Sequence, residues 1–152
     1  VTGGDFETVL TEYRDWYQAH NCVATAPYPG IPALLAALAE AGVKTAVVSN
    51  KPDATTKTLA ARFFPGLPAF GQRDDVPPKP APDLVFRALE TLGVDAAGAV
   101  YVGDSEVDVA TARNAGLPLA AVSWGFRGRR ALAEAGAPVI VDTAAELLEV
   151  LR

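Results

Sequence analysis

Ala99-Val100-Tyr101-Val102-Gly103-Asp104-Ser105-Glu106-Val107-Asp108 is a short apolar run that empties, through a glycine, into an acidic stretch where a helix should begin. The run, 99–102, reads as a buried strand and 106–115 as the helix that follows it. Asp104 and Asp108 stand four residues apart across that junction, a spacing at which two carboxylates can face one point. An oxygen-only pair of this kind suits Mg²⁺, which takes a few carboxylates beside water and phosphate oxygens. The same residues also admit a plainer reading, with Asp104 as the helix N-cap and Asp108 as a solvated side chain.

Working outward, the pattern repeats. Ile31, Leu34, Leu35 and Leu38 share one helical face that stops at Gly42, and an apolar strand, Thr45 to Val48, follows. Further strands are expected at 119–122 and 139–141, with a short edge strand at 67–70. Helical spacing recurs at 53–63, 82–92, 129–135 and 144–151. Apolar strands alternating with helices predict an α/β fold with a largely parallel sheet, its strands buried on both faces. Local signals agree: Pro82 suits a first helical turn, Gly93 and Gly116 suit helix stops, and Thr143 with Glu146 suits a capping box. Ahead of this pattern, Phe6, Val9, Leu10, Tyr13, Trp16 and Tyr17 recur at helical spacing behind Asp5, so 5–19 is expected to be an amphipathic helix with its aromatic stripe in a core. Ala26-Pro27-Tyr28-Pro29-Gly30 breaks the periodicity and marks a boundary.

Composition narrows the function. A chain of 152 residues, half of them apolar, has the length of one domain. Its net charge of −5 and lack of a basic run give nucleic-acid binding little electrostatic support, so a small polar ligand is the better expectation. One cysteine, Cys22, excludes an internal disulfide, and no apolar stretch approaches the roughly 20 residues that span a bilayer. With no signal peptide in view, a cytoplasmic protein is expected. The chain opens Val1-Thr2-Gly3-Gly4 and contains no methionine, which reads as a piece of something longer or a start at an unusual codon.

Ligands of an open parallel sheet bind beyond the carboxyl ends of its strands. Three such places carry chemistry. After Val47-Val48 come Ser49 and Asn50, a hydroxyl and an amide able to bond phosphate oxygens, or to serve only as a polar turn. After Val102 comes the acidic pair. Lys79 lies in Val76-Pro77-Pro78-Lys79-Pro80-Ala81-Pro82, where four prolines stiffen the backbone and lower the entropic cost of holding a phosphate on its ammonium. His20 and Cys22 lack an orienting carboxylate and are set aside as nucleophile and base. Arg127, Arg129 and Arg130 read as a solvated helix start, and Trp124 as packing or a dimer contact.

Taken in order, these segments resemble the haloacid dehalogenase superfamily of phosphohydrolases, and within it the phosphoglycolate phosphatase-like branch. Pro27-Tyr28-Pro29-Gly30, Val47-Val48-Ser49-Asn50-Lys51-Pro52, Lys79-Pro80-Ala81-Pro82-Asp83, Val102-Gly103-Asp104-Ser105 with Asp108 and Ala115-Gly116, and Ser123-Trp124-Gly125-Phe126-Arg127 carry the likeness across essentially the whole chain. The resemblance implies a three-layer Rossmann-like core over 26–152, with 1–25 as the C-terminal remnant of a helical cap. It implies a Mg²⁺-dependent phosphatase of small phosphorylated metabolites. Ser49 and Asn50 would contact phosphate, Lys79 would serve both phosphate binding and catalysis, and Asp104 would bind the metal. Asp108 would support the metal directly, through water, or by contacting Lys79. Mg²⁺, a lysine and a hydroxyl together neutralise the equatorial oxygens in phosphoryl transfer.

One departure matters. The family's first motif, Asp-x-Asp followed by Gly-Thr at the end of the first strand, supplies the nucleophile that forms an aspartyl-phosphate, and it is not found here; Asp53, Asp74-Asp75, Asp83 and Asp95 lack its context. In that family the first strand lies between the strands of the second and fourth motifs, so its omission predicts a gap in the sheet with two unpaired edges. The expectation is a functional protein completed by an N-terminal segment, the chain by itself being inactive. The alternatives are a non-catalytic or partner-completed module, a phosphomutase of the same superfamily, and, less favoured, a dehalogenase. A signalling receiver, another α/β domain with an acidic Mg²⁺ pocket, is disfavoured because its acidic pair comes first in the chain. Homodimerisation is left open, and no membrane partner is expected.

Overall fold

The computed structural model describes residues 5–20 and 22–152. Residues 1–4 and Asn21, on which the reading of the chain start and part of the His20–Cys22 reading fall, lie outside the described residues. Helix α1 (Phe6–His20) precedes α2 (Ile31–Glu40), and then strands and helices alternate: β1 (Val47–Pro52), α3 (Asp53–Phe63), β2 (Ala69–Gln72), α4 (Asp83–Leu92), β3 (Tyr101–Gly103), α5 (Glu106–Ala115), β4 (Leu119–Val122), α6 (Gly128–Glu134), β5 (Ile140–Val141) and α7 (Ala144–Val150). The helices over 53–63 and 106–115 and the strand over 119–122 fall on their expected residues, and most other boundaries move by one or two. Gly93 and Gly116 close α4 and α5 in the left-handed region, the conformation their sequence positions suggested.

All pairing is parallel, but the strands form two sheets: β1 with β2, and β3 with β4 and β5. β4 explains the layering. Its four residues, Leu-Ala-Ala-Val, are all buried and alternate between two cores. Leu119 and Ala121 face the cluster of Val85, Val109, Ala112 and Leu132, from α4, α5 and α6, while Ala120 and Val122 face Leu34, Leu38 and Leu147, from α2 and α7. A strand covered on both faces has no need of polar alternation.

Among the described residues β1 pairs only with β2, and β3 only with β4. The edges left over border a groove of about 670 Å³ lined by Leu34, Leu38, Val47, Val48, Tyr101 and Val102. Val102, read from sequence as doubly buried, is 41% exposed for that reason. The groove falls where the resemblance puts the family's first strand.

Two packing details depart from sequence expectation. The aromatic stripe of α1 is not core: Phe6, Tyr13 and Trp16 are exposed, and the ring contacts recorded for it are within the helix, Tyr13 on Tyr17 and Trp16 on His20. Helical spacing reports that a face is apolar, not that something covers it. Second, α3 and β2 touch at Gly71, whose amide donates to Asp53 Oδ1 at 3.1 Å. A Cβ there would lie 2.5 Å from Asp53 Cα and 2.6 Å from Thr56 Oγ1, so Gly71→Ala must push a helix off a strand. It is expected to lower unfolding stability by about 1–3 kcal/mol, measured by urea denaturation. No helix among the described residues is long and apolar enough to cross a membrane.

Candidate active site

The chemistry gathers at the carboxyl ends of β1 and β3. Ser49 and Asn50 lie inside β1 rather than after it, in a stretch where the register with β2 shifts between Val48 and Pro52. An irregularity of this kind re-aims side chains that a regular strand would alternate. Ser49 Oγ accepts from the Lys51 amide at 3.1 Å, which leaves its hydroxyl proton free to donate. Asn50 is committed elsewhere: its Oδ1 accepts from the Lys79 amide at 2.8 Å and its Nδ2 donates to the Lys79 carbonyl at 3.0 Å. Both ends of that amide grip one residue of the proline-rich loop, in which the Lys79-Pro80 peptide bond is cis. Asn114 on α5 adds a bond to the Pro80 carbonyl at 2.8 Å.

With its backbone held, Lys79 sends its side chain inward. Nζ donates to Asp108 Oδ1 at 2.7 Å and to the Tyr101 hydroxyl at 3.2 Å, and only 12% of the side chain is exposed. An ammonium has three donors, so one remains.

Asp108 is the most heavily bonded residue of the site. Its Oδ1 also accepts from Tyr101 at 3.1 Å, and its Oδ2 takes the Asp104 amide, the Ser105 amide and Ser105 Oγ at 2.7–3.1 Å. Burial alone would raise its pKa; the Lys79 charge and hydrogen bond, with those from Ser105 and the Asp104 amide, outweigh it and hold the carboxyl below its usual range. Burial, then the Asp108 charge, pushes the Tyr101 hydroxyl upward, so it stays a donor. The plainer reading of the acidic pair does not hold: Ser105, not Asp104, caps α5, in a capping box with Asp108 at the third helical position, and Asp108 is buried.

Asp104 is turned differently. Its Oδ2 accepts from the Phe126 amide at 2.8 Å, and its Oδ1 has no hydrogen bond among the described residues. The two carboxylates thus have separate partners, and no cluster of three or more metal-capable side chains occurs among the described residues. What is present is one half-buried carboxylate with a spare oxygen beside an ammonium with a spare donor, a donor set that fits a hard cation with phosphate and water as its other ligands.

Sequence reasoning overlooked Tyr101, Ser105 and the Gly125–Phe126 backbone. Ser105 was within reach, since Ser-x-x-Asp at a helix start is a capping pattern; Tyr101, in an apolar run, gave no signal. In the basic cluster Arg127 pairs with Glu106 and Arg129 with Asp142, while Arg130 stays solvated beside Glu134. Trp124 packs beside the α2–α7 core, and His20 Nδ1 lies 2.7 Å from the Trp16 carbonyl.

The haloacid dehalogenase-like hydrolase family model matches residues 5–116. This chain belongs to that family. The chain is 35% identical to the N-acetylmuramic acid 6-phosphate phosphatase of Pseudomonas aeruginosa over 97% of its own length and 67% of the relative's. It is also 35% identical to the phosphoglycolate phosphatase of Rhodospirillum rubrum, over 91% of this chain and 58% of that one. A crystal structure from Lactobacillus delbrueckii subsp. bulgaricus, assigned provisionally as a phosphoglycolate phosphatase, superposes with a TM-score of 0.90 at 43% identity, covering 94% of this chain and 61% of the other. The chain therefore spans between about half and two thirds of the length of such relatives.

Proposed function

We propose that this hydrolase is the greater part of a Mg²⁺-dependent phosphatase of small phosphomonoesters, phosphoglycolate-like in size and charge. The observation that carries the reading is a set of unspent valences at the carboxyl ends of β1 and β3 and in the loop between them: a Lys79 donor, the Ser49 hydroxyl proton and Asp104 Oδ1. Lys79 and Ser49 would hold the transferring phosphoryl oxygens, and Asn50 would act through the Lys79 backbone. Asp104 would hold the cation, which supplies charge neutralisation when bound. Asp108, bonded to Lys79, would act by holding the ammonium in place. Hydrolysis through an aspartyl-phosphate requires a nucleophile that this chain does not provide in recognisable form, and a strand seated in the groove between β1 and β3 would deliver one beside Lys79. On this reading residues 1–25 end a helical cap whose remaining part covers the exposed aromatic face of α1. A partner-completed module is the second reading, favoured by the same groove.

The test uses the natively expressed protein. With Mg²⁺ it is expected to release inorganic phosphate from a panel of small phosphomonoesters, with EDTA stopping release. Its intact mass should exceed 15.8 kDa and include an Asp-x-Asp peptide. No release from any member of the panel overturns the phosphatase reading, and a mass equal to that of this chain turns the question to a partner.

A further inference from the structure

We propose that the segment Ser123–Arg127 is a positioning device that selects which oxygen of Asp104 meets a cation; this rests on the reading of Asp104 as the cation's carboxylate. The Phe126 amide donates to Oδ2 at 2.8 Å, so one oxygen is occupied and Oδ1 is presented alone. The approach depends on Gly125, where a Cβ would overlap the Asp104 carboxylate. The Phe126 side chain is 93% exposed, so it is the backbone of this residue, not its ring, that reaches the site.

The segment is tied at both ends. At its start, Ser123 Oγ donates to Asp142 Oδ1 at 2.5 Å, and Arg129 grips the same carboxylate with Nε at 3.0 Å and an NH2 group at 2.8 Å. At its end, Arg127 forms a fork on Glu106, Nε donating to Oε2 at 2.8 Å, and Glu106 lies in the first turn of α5 beside Asp104. Trp124, between the anchors, packs at the α2–α7 core. A carboxylate whose second oxygen is held by a fixed amide keeps one orientation, and such outer partners set metal affinity by orienting the ligand.

The experiment is a Mn²⁺ titration of the natively expressed protein, followed by electron paramagnetic resonance of free Mn²⁺, with thermal unfolding of each variant measured alongside. One site is expected in the unaltered chain, and Asp104→Asn abolishes it. Gly125→Ala weakens it about tenfold while the folded fraction is unchanged. Arg127→Ala, the milder variant should Gly125→Ala not fold, weakens it about threefold, with Arg127→Lys recovering part of the loss. Arg130→Ala, on the same helix but paired with Glu134, leaves affinity unchanged. Unaltered binding in Asp104→Asn, or no site in the unaltered chain, overturns the cation reading and this inference with it. Loss in Asp104→Asn with normal affinity in both Gly125→Ala and Arg127→Ala overturns the positioning inference alone. A purely structural segment would lower the unfolding temperature without moving the affinity of the folded chain.

Discussion

Asp108→Ala is expected to lower the unfolding free energy by about 3–5 kcal/mol, because it strands a buried ammonium. Lys79 is only 12% exposed on its side chain and has Asp108 as its one ion-pair partner among the described residues. The same substitution removes the carboxylate half of the α5 capping box and leaves the Asp104 and Ser105 amides without their acceptor. Urea denaturation measures the loss, and the double variant Lys79→Met/Asp108→Leu separates its causes. Removing both charges should restore the part due to the stranded ammonium and not the part due to the cap. Acid provides a second readout. The Asp108 carboxyl sits below its ordinary value of 3.8 in the folded chain, so in the interval beneath that value the unfolded chain binds more protons. Its contribution is therefore complete above the ordinary carboxylate range and is lost as pH falls through the folded pKa. Stability of Asp108→Asn should be correspondingly flatter with pH over that acidic interval. Equal slopes for the two proteins would show that Lys79 and the backbone amides do not stabilise the ionised carboxylate.

Lys79→Ala is expected to lower the rate of phosphate release by about 10²–10³-fold in the natively expressed enzyme, the scale of losing one preorganised donor to developing charge. Lys79→Arg should not restore it. The ammonium points simultaneously at Asp108, Tyr101 and an open direction, a tripod that a planar fork cannot reproduce. Asn50→Ala should produce a smaller loss, since it frees the lysine backbone while leaving the ammonium present. Near-normal turnover in Lys79→Ala, measured on a variant shown to be folded, would remove Lys79 from the reaction.

The fold was legible in sequence wherever local signals and burial agreed. Residues 119–122 are apolar throughout because both faces of β4 are covered, and 106–115 begins at a capping pattern and ends at a glycine, so both were read to the residue. β1 was read short, as 45–48, because its polar half, Ser49 to Pro52, continues as strand through a register shift that apolar content does not report. The stripe on α1 had the right period and the wrong environment. At the site, Ser49, Asn50, Lys79, Asp104 and Asp108 were picked out as candidates from their places after apolar runs and in the proline-rich loop. Their division of labour was not. That Asn50 spends its amide on a backbone 29 positions away, or that Tyr101 turns its hydroxyl toward Asp108, is a fact of tertiary packing with no trace in spacing. Gly125 was quoted as part of a motif, yet the approach to Asp104 that requires it appears only in three dimensions.

The division of the strands into two sheets has a consequence for how precisely the site is aligned. Ser49 and Asn50 travel with the β1–β2 pair, and Asp104 and Asp108 with β3, β4 and β5. The dipeptide Lys79-Pro80 bridges them: Asn50 grips it from one side, Asp108 and Asn114 from the other. Between Asn50 on one sheet and Asp108 on the other, the connection thus runs through the length of a single lysine side chain. Shortening or lengthening that side chain alters the spacing of two half-sites, so this position carries a mechanical tolerance as well as a charge.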